Sequence, residues 1–231
     1  IKKLVHVSSI AAIGRSRDGA RLEEASSWQK SKLNSNYAIS KFLAEQEVWR
    51  GMAEGLKAAI VNPSVILGAG RWDEGALQYF GLIWNKFPFY PVGATGFVDV
   101  RDLAVAMIRL MESNITGERF IISSENRTYR SVFNKIAECL DKRPPYLAAN
   151  RLIRPFAWRL SWLQQKIFGG KRTITRETAL LSSKTFYFDN SKSAEQLGMQ
   201  YRPLDTTIEE SSLKFIRSAS HSFSSAVLPV T

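Results

Sequence analysis

Tyr37 and Lys41 stand four residues apart in a segment, Tyr37 to Gly55, whose apolar positions Phe42, Leu43, Val48 and Met52 recur at helical spacing. One turn of helix puts a phenol and an ammonium on the same face, with Cβ atoms about 5–6 Å apart. Such a pair can give or take a proton at an oxygen. A free phenol titrates near 10, and bringing it to neutrality means lowering its pKa by about 3, or roughly 4 kcal/mol. An ammonium about 5 Å away, at an effective dielectric near 20, supplies on the order of 3 kcal/mol. Burial works the other way, so Lys41 falls short alone and a second positive group must contribute.

The elements around the pair decide what it faces. Upstream, Ile1-Lys-Lys-Leu-Val-His-Val-Ser-Ser9 reads as a buried strand ending in two hydroxyls, Ser8 and Ser9. A polar loop follows from Ile10 to Asn36, with Gly14, Gly19 and five serines and room for a short helix. Downstream of the Tyr37 helix, Ala58 to Val61 is a short strand broken by Asn62-Pro63. Helix followed by strand in this order suggests α/β alternation on a parallel sheet. Further along, the pattern predicts a helix within Ala76 to Trp84, an extended piece Phe97 to Val100, and a helix from Leu103 to Met111 capped by Asp102. A strand Phe120 to Ile122 precedes a helix capped by Thr128 and carrying Val132, Phe133, Ile136 and Leu140. Phe186 to Asp189 reads as a strand, Ser191 to Leu197 as a helix stopped by Gly198, and Asp205 to Ile216 as a closing helix. The serine-rich 218–231 reads as a frayed tail.

Taken together, Ser8-Ser9 with Ile-Ala-Ala-Ile-Gly14, Tyr37-x-x-x-Lys41 and Asn62-Pro-Ser-Val65 resemble the extended short-chain dehydrogenase/reductase family. The segments Gly93-Ala-Thr-Gly-Phe-Val-Asp-Val-Arg-Asp-Leu-Ala104, Gly117 to Asn126 and Tyr187 to Lys192 with Leu197-Gly198 extend the likeness over about Lys2 to Ile216. They resemble the branch holding dihydroflavonol-reductase-like, 3β-hydroxysteroid-dehydrogenase-like and nucleoside-sugar-epimerase-like enzymes. The resemblance implies an α/β fold: the C-terminal part of a Rossmann-type doubly wound parallel sheet plus a smaller mixed α/β substrate lobe. Residues 1–122 would form the later half of the dinucleotide-binding domain, with an insertion near 69–96 reaching the substrate lobe, and 123–217 that lobe. It implies NAD or NADP as cofactor and an exchange of carbonyl and alcohol by hydride transfer, Tyr37 moving the proton. The positively charged oxidised nicotinamide then lowers the phenol the rest of the way. Lys41 would also bond the nicotinamide ribose, Ser9 would hold the substrate oxygen, and Pro63, Ser64 and Val65 would line the nicotinamide. Ser8 is the alternative to Ser9, because one step along a strand turns a side chain to the other face.

The family's Gly-x-x-Gly-x-x-Gly turn, where a helix N-terminus receives the pyrophosphate, has no match in these residues. The chain lacks an initiator Met and opens inside a core strand, so an N-terminal portion is expected to precede it. The resemblance further implies a small-molecule substrate, bulky and partly apolar or a nucleotide sugar, and a homodimer built through the Tyr37 helix.

Composition restricts the alternatives. The 231 residues are 45% hydrophobic, enough for real cores and against disorder. One cysteine, Cys139, and two histidines, His6 and His221, make structural zinc or a disulfide a poor fit. No apolar run reaches the roughly 18 residues that cross a bilayer, which predicts a soluble, cytoplasmic protein. Between Asp141 and Glu177 nine Lys/Arg face those two acids, so +7 of the net +11 is regional. A solvated face is the plain reading of that excess. A non-catalytic anion- or nucleic-acid-binding protein on the same fold, or a membrane-surface helix over Leu152 to Phe168, are readings of another class. Asp99 and Asp102 read as helix-capping and sheet-bracing, His6 as a packed or surface side chain, Cys139 as core, and Trp158 and Trp162 as core or as a pocket wall.

Overall fold

The computed structural model describes residues 1–14, 21–31, 34–149 and 181–224, the side chains of 221–224 excepted. Three parallel strands lie side by side in the order β1 (Leu4–Val7), β3 (Ala58–Pro63), β7 (Glu118–Ile122). β3 lies between the other two with all six residues buried. The strand runs through Asn62-Pro63 rather than breaking there, because Pro63 is its last residue and gives up only the final ladder position. β1 pairs Val7 with Val61, so Ser8 lies level with Asn62 at the carboxyl ends of both strands.

The two faces of this sheet are covered differently. Ala59, Val61, Phe120 and Ile122 pack with Leu103, Ala106 and Leu110 of α3 (Val100–Glu112) in one apolar core. Asp99, not Asp102, caps α3: its carboxylate accepts from Arg101 N at 2.7 Å, while Asp102, within the first turn, binds the guanidinium and backbone N–H of Arg202. A carboxylate at the cap position reaches free N–H groups that one inside the helix cannot. Lys3 closes the other end by donating to the Leu110 and Ser113 carbonyls.

On the opposite face lies α1 (Asn36–Ala53), capped by Ser35, whose side chain accepts from Ala38 N. Its apolar spacing predicts a packed stripe, yet Leu43 is 57% exposed, and the fully buried residues of α1 are Ala38 and Glu45. Phe42 instead stacks on Trp28 of the preceding loop, ring centroids 4.3 Å apart. That loop also holds a strand absent from the sequence reading, β2 (Arg21–Leu22), paired parallel with β10 (Tyr187–Phe188).

A second sheet follows directly from β3: β4 (Val65–Leu67), β6 (Ala94–Asp99) and β8 (Glu125–Thr128), with β6 parallel to β4 and antiparallel to β8. β5 (Phe89–Tyr90) pairs with β9 (Leu147–Ala148). The second core joins Phe80 and Ile83 of α2 (Gln78–Trp84), Phe97, and Val132, Phe133 and Ile136 of α4 (Tyr129–Cys139). After the short α5 (Ser191–Gln196), α6 (Leu204–Ser224) adds Leu204, Ile208 and Phe215 to that core. α6 continues past Ile216 into the expected tail. The glycines of Gly93-Ala-Thr-Gly96 answer to space: a Cβ on Gly93 would lie 2.1 Å from the Lys184 carbonyl, and one on Gly96 2.4 Å from Ser123 Oγ.

Of the nine basic residues behind the regional charge, Lys142 lies over the Trp84 ring at 4.4 Å and Arg143 over Tyr146 at 4.8 Å. Arg151, Arg154, Arg159, Lys166, Lys171, Arg172 and Arg176 lie outside the described residues, as do the Leu152 to Phe168 stretch, Trp158 and Trp162. Cys139 is half-buried at the edge of the second core, where burial pushes its thiol up.

Candidate active site

A cavity of about 690 Å³ opens at the carboxyl ends of β1 and β3, where an α/β sheet offers its loops to ligands. Ser9, Tyr37, Lys41, Pro63, Ser64 and Val65 all line it, as does Ser8. Six residues singled out from three separated stretches of sequence thus border one space. Tyr37, in the first turn of α1, is 56% exposed and opens onto the cavity.

The two serines differ in what their hydroxyls are already doing. Ser8 donates to Glu45 Oε2 at 2.7 Å, so its hydrogen is committed. Ser9 caps a short 3₁₀ turn, Ile10–Ala12, by accepting from Ala11 N at 3.1 Å. An accepting hydroxyl keeps its own hydrogen, so the Ser9 O–H remains available to an oxygen in the cavity. Around Ser8 the donors converge on Glu45, while Asn62 Oδ1 is buried without a partner. Asn62 Nδ2 donates to Glu45 Oε2 at 2.9 Å and to the Ser9 carbonyl at 3.0 Å. Arg119 Nη1 reaches Glu45 Oε1 at 3.0 Å, and Trp49 Nε1 reaches the same oxygen at 3.3 Å. Sequence reasoning does not single out Glu45 or Arg119, and takes Asn62 only as part of Asn62-Pro-Ser-Val65. Glu45 carried a signal, a carboxylate in register with Tyr37 and Lys41 at successive four-residue steps.

His6 lies on the α1 side of β1, half-buried, with no hydrogen bond to its buried Nε2. Burial first, and the Lys41 ammonium second, hold its pKa below the ordinary value, with Glu45 opposing. Asp99 and Asp102 are both tied into structure. Burial pushes Asp99 up, but hydrogen bonds from Arg101 and Thr207 outweigh it and keep the carboxyl below its usual range. Among the described residues, no group of three or more His, Cys, Asp and Glu could hold a metal ion.

The far side of the cavity is apolar. Tyr79, Leu82, Phe87, Phe89, Tyr129 and Phe133 line it, from α2, β5 and α4 and the loop before β5. Burial pushes the Tyr79 phenol well above its ordinary value, so it stays protonated.

Residues 1–123 match the NAD dependent epimerase/dehydratase family, and the chain belongs to that family. It is 27% identical over 213 residues to a candidate dihydroflavonol 4-reductase from Synechocystis sp., covering 86% of this chain and 60% of that protein. It is 25% identical over 208 residues to cinnamoyl-CoA reductase 1 of Arabidopsis thaliana, covering 86% of this chain and 59% of that one. The chain therefore spans about three fifths of the length of these relatives. The crystal structure of gox2253 superposes with a TM-score of 0.74 at 27% identity, covering 94% of this chain and 67% of that chain. The expected Rossmann-type α/β architecture with parallel sheets is what the two share. No described helix is long and apolar enough to cross a membrane.

The polar groups in the cavity fit the dinucleotide that the family name implies. Lys41 brings an ammonium to its rim, and Ser64 Oγ is buried at its lining with no protein partner. A buried hydroxyl without a partner is costly unless a ligand or water satisfies it.

Proposed function

We propose that the protein is an NAD- or NADP-dependent oxidoreductase that interconverts a carbonyl and an alcohol, with Tyr37 as proton donor and acceptor. The observation that carries this is the convergence of Ser9, Tyr37, Lys41 and Pro63-Ser-Val65 on one cavity. When bound, the dinucleotide supplies or receives a hydride at the nicotinamide ring. The protein's part is to hold the substrate oxygen and manage its proton. Ser9 donates its free O–H to that oxygen, and Tyr37 donates its phenolic proton to it in reduction or removes the hydroxyl proton in oxidation. Lys41 stabilises the phenolate by charge and bonds the ribose. Pro63 has no N–H, so its carbonyl and its neighbours Ser64 and Val65 make the contacts to the nicotinamide side.

The aromatic wall supports a bulky, partly apolar ketone or aldehyde, since Phe87, Phe89, Tyr129 and Phe133 repay apolar surface removed from water. The reductase names of the two relatives agree with this choice. A nucleotide-sugar epimerase is the second reading, favoured by the family description.

The test is Tyr37→Phe in the complete protein. Reduction of an aromatic ketone or aldehyde with NADPH or NADH should fall by about 100- to 10,000-fold, while Tm stays within about 2 °C because the ring is already solvent-exposed. Binding of NADPH or NADH, followed by fluorescence, should persist. Unchanged turnover would remove the assignment, and no response to either dinucleotide would remove the oxidoreductase reading altogether.

A further inference from the structure

Glu45 is 1% exposed in a face of α1 that otherwise reaches solvent at Tyr37 and Lys41. It follows Lys41 by one turn and Tyr37 by two, so the three share one side of the helix. Its carboxylate has four donors, three of them from outside α1. Ser8, just past β1, and Asn62 of β3 bind Oε2, and Arg119 of β7 and Trp49 of α1 bind Oε1. Asn62 uses the same amide to hold the Ser9 carbonyl. One side chain thereby ties the helix bearing Tyr37 and Lys41 to all three strands of the sheet, and to the backbone of Ser9.

We infer that Glu45 is the positioning residue of this site. It fixes the rotation and height of α1 on the sheet, and so places Tyr37 and Lys41 opposite the Ser9 hydroxyl. The inference rests on the oxidoreductase reading. It differs from a stability role for two reasons. First, a buried ion pair is weak evidence for stability, because a well-packed apolar side chain of similar volume often serves as well or better. What the carboxylate adds is direction, since hydrogen bonds fix angles where apolar contact does not. Second, few apolar side chains of α1 are fully buried. Ala38 is its one fully buried apolar residue, Leu43 points to solvent, and Phe42 stacks on the Trp28 loop. The half-buried Phe42, Val48, Trp49 and Met52 hold the helix in place but do not set its angle as four directed hydrogen bonds do. A misplacement of about 1 Å at a reacting group can cost on the order of 100-fold in rate.

Three substitutions in the complete protein test this, with kcat, substrate KM and Tm measured for each. Glu45→Gln keeps the shape but turns an amide NH₂ toward two donors. Its kcat should fall by about 30- to 100-fold, with KM within about threefold of the parent. Glu45→Met fills the space without direction. It should hold Tm near or above the parent and still lose kcat by at least about tenfold. Glu45→Asp keeps the charge and shortens the reach by one methylene, and should recover part of the kcat lost in Glu45→Gln. A Met variant with parental kcat overturns the inference, since packing alone would then suffice. So does a Gln variant whose kcat is within threefold of the parent, whatever its Tm. Should neither fold, Glu45→Asp decides: a tenfold drop in kcat at unchanged KM supports positioning, and parental kcat overturns it. Tyr37→Phe in the same assay separates the two layers. If it keeps turnover, the Tyr37 assignment fails, and if neither dinucleotide binds the parent, the oxidoreductase reading fails. If Tyr37→Phe is inactive while Glu45→Met is fully active, only the positioning role falls.

Discussion

On the side of the cavity formed by β1, β3 and α1, buried polar groups spend their hydrogen bonds on one another: Ser8 and Asn62 on Glu45, Asn62 again on the Ser9 carbonyl. On the side formed by α2, β5 and α4, aromatic rings pack edge to face, as Tyr79 does on Tyr129 and Phe87 on Phe89. Hydrogen bonds lose their strength within a few tenths of an ångström and about 30°, whereas ring contacts adapt. The polar side is therefore suited to fix reacting atoms and the apolar side to accept a substrate. Changes on the first should appear in kcat, and changes on the second in KM.

The sharpest probe of that division is the pair of serines. Of the two serines that follow β1, Ser9 is the one whose hydrogen is free; Ser9→Ala removes it, and kcat should drop by about 100-fold or more, the range for losing a single oxyanion donor. Ser8→Ala removes a bond to Glu45, and its main cost should be about 1–3 kcal/mol of stability with less than a tenfold loss of kcat. Steady-state kinetics beside thermal melts of both variants give the answer. If Ser8→Ala proves the slower enzyme, the hydroxyls have been assigned the wrong way round.

On the apolar side, Tyr129→Ala opens space and removes ring contact with an apolar substrate. KM for an aromatic ketone should rise about tenfold, with kcat within about threefold, as expected for loss of uniform binding. The same variant assayed on a small aliphatic carbonyl should change little. A loss confined to kcat would mean that this wall also orients the reacting carbon, and the two sides would no longer divide the work.

The sequence made the polar side legible in part and the apolar side hardly at all. Tyr37 and Lys41 stand out by helical spacing, a local pattern, whereas Ser9 and Pro63-Ser-Val65 are reached only through the resemblance to the short-chain dehydrogenase/reductase family. Glu45 was passed over because a glutamate on an amphipathic helix ordinarily faces water. Its burial depends on Ser8, Asn62 and Arg119, which are 37, 17 and 74 residues away along the chain. Tyr79, Phe87 and Tyr129 become one wall only when α2, β5 and α4 converge, and no local periodicity encodes that. The same logic explains the cap of α3. Asp99 and Asp102 are both good cap residues by type, and only the turn geometry at the end of β6 selects Asp99.

His6 offers the mildest test, through pH. It sits on the polar side with no partner for Nε2, and burial together with the Lys41 ammonium keeps its pKa below the ordinary 6.5. The folded protein therefore holds His6 neutral at a pH where the unfolded chain has begun to take a proton. Its contribution is complete above the unfolded value, near 6.5, and is lost as pH falls toward the folded one. The Tm of the parent should decline between pH 7.5 and 5.5. His6→Phe, which cannot take a proton, should decline less over the same interval, by at most about 4 °C. Identical slopes in the two proteins would mean that His6 exchanges its proton as freely as in the unfolded chain. The Lys41 charge would then not be felt on β1, and the polar side would be less tightly assembled than its hydrogen bonds imply.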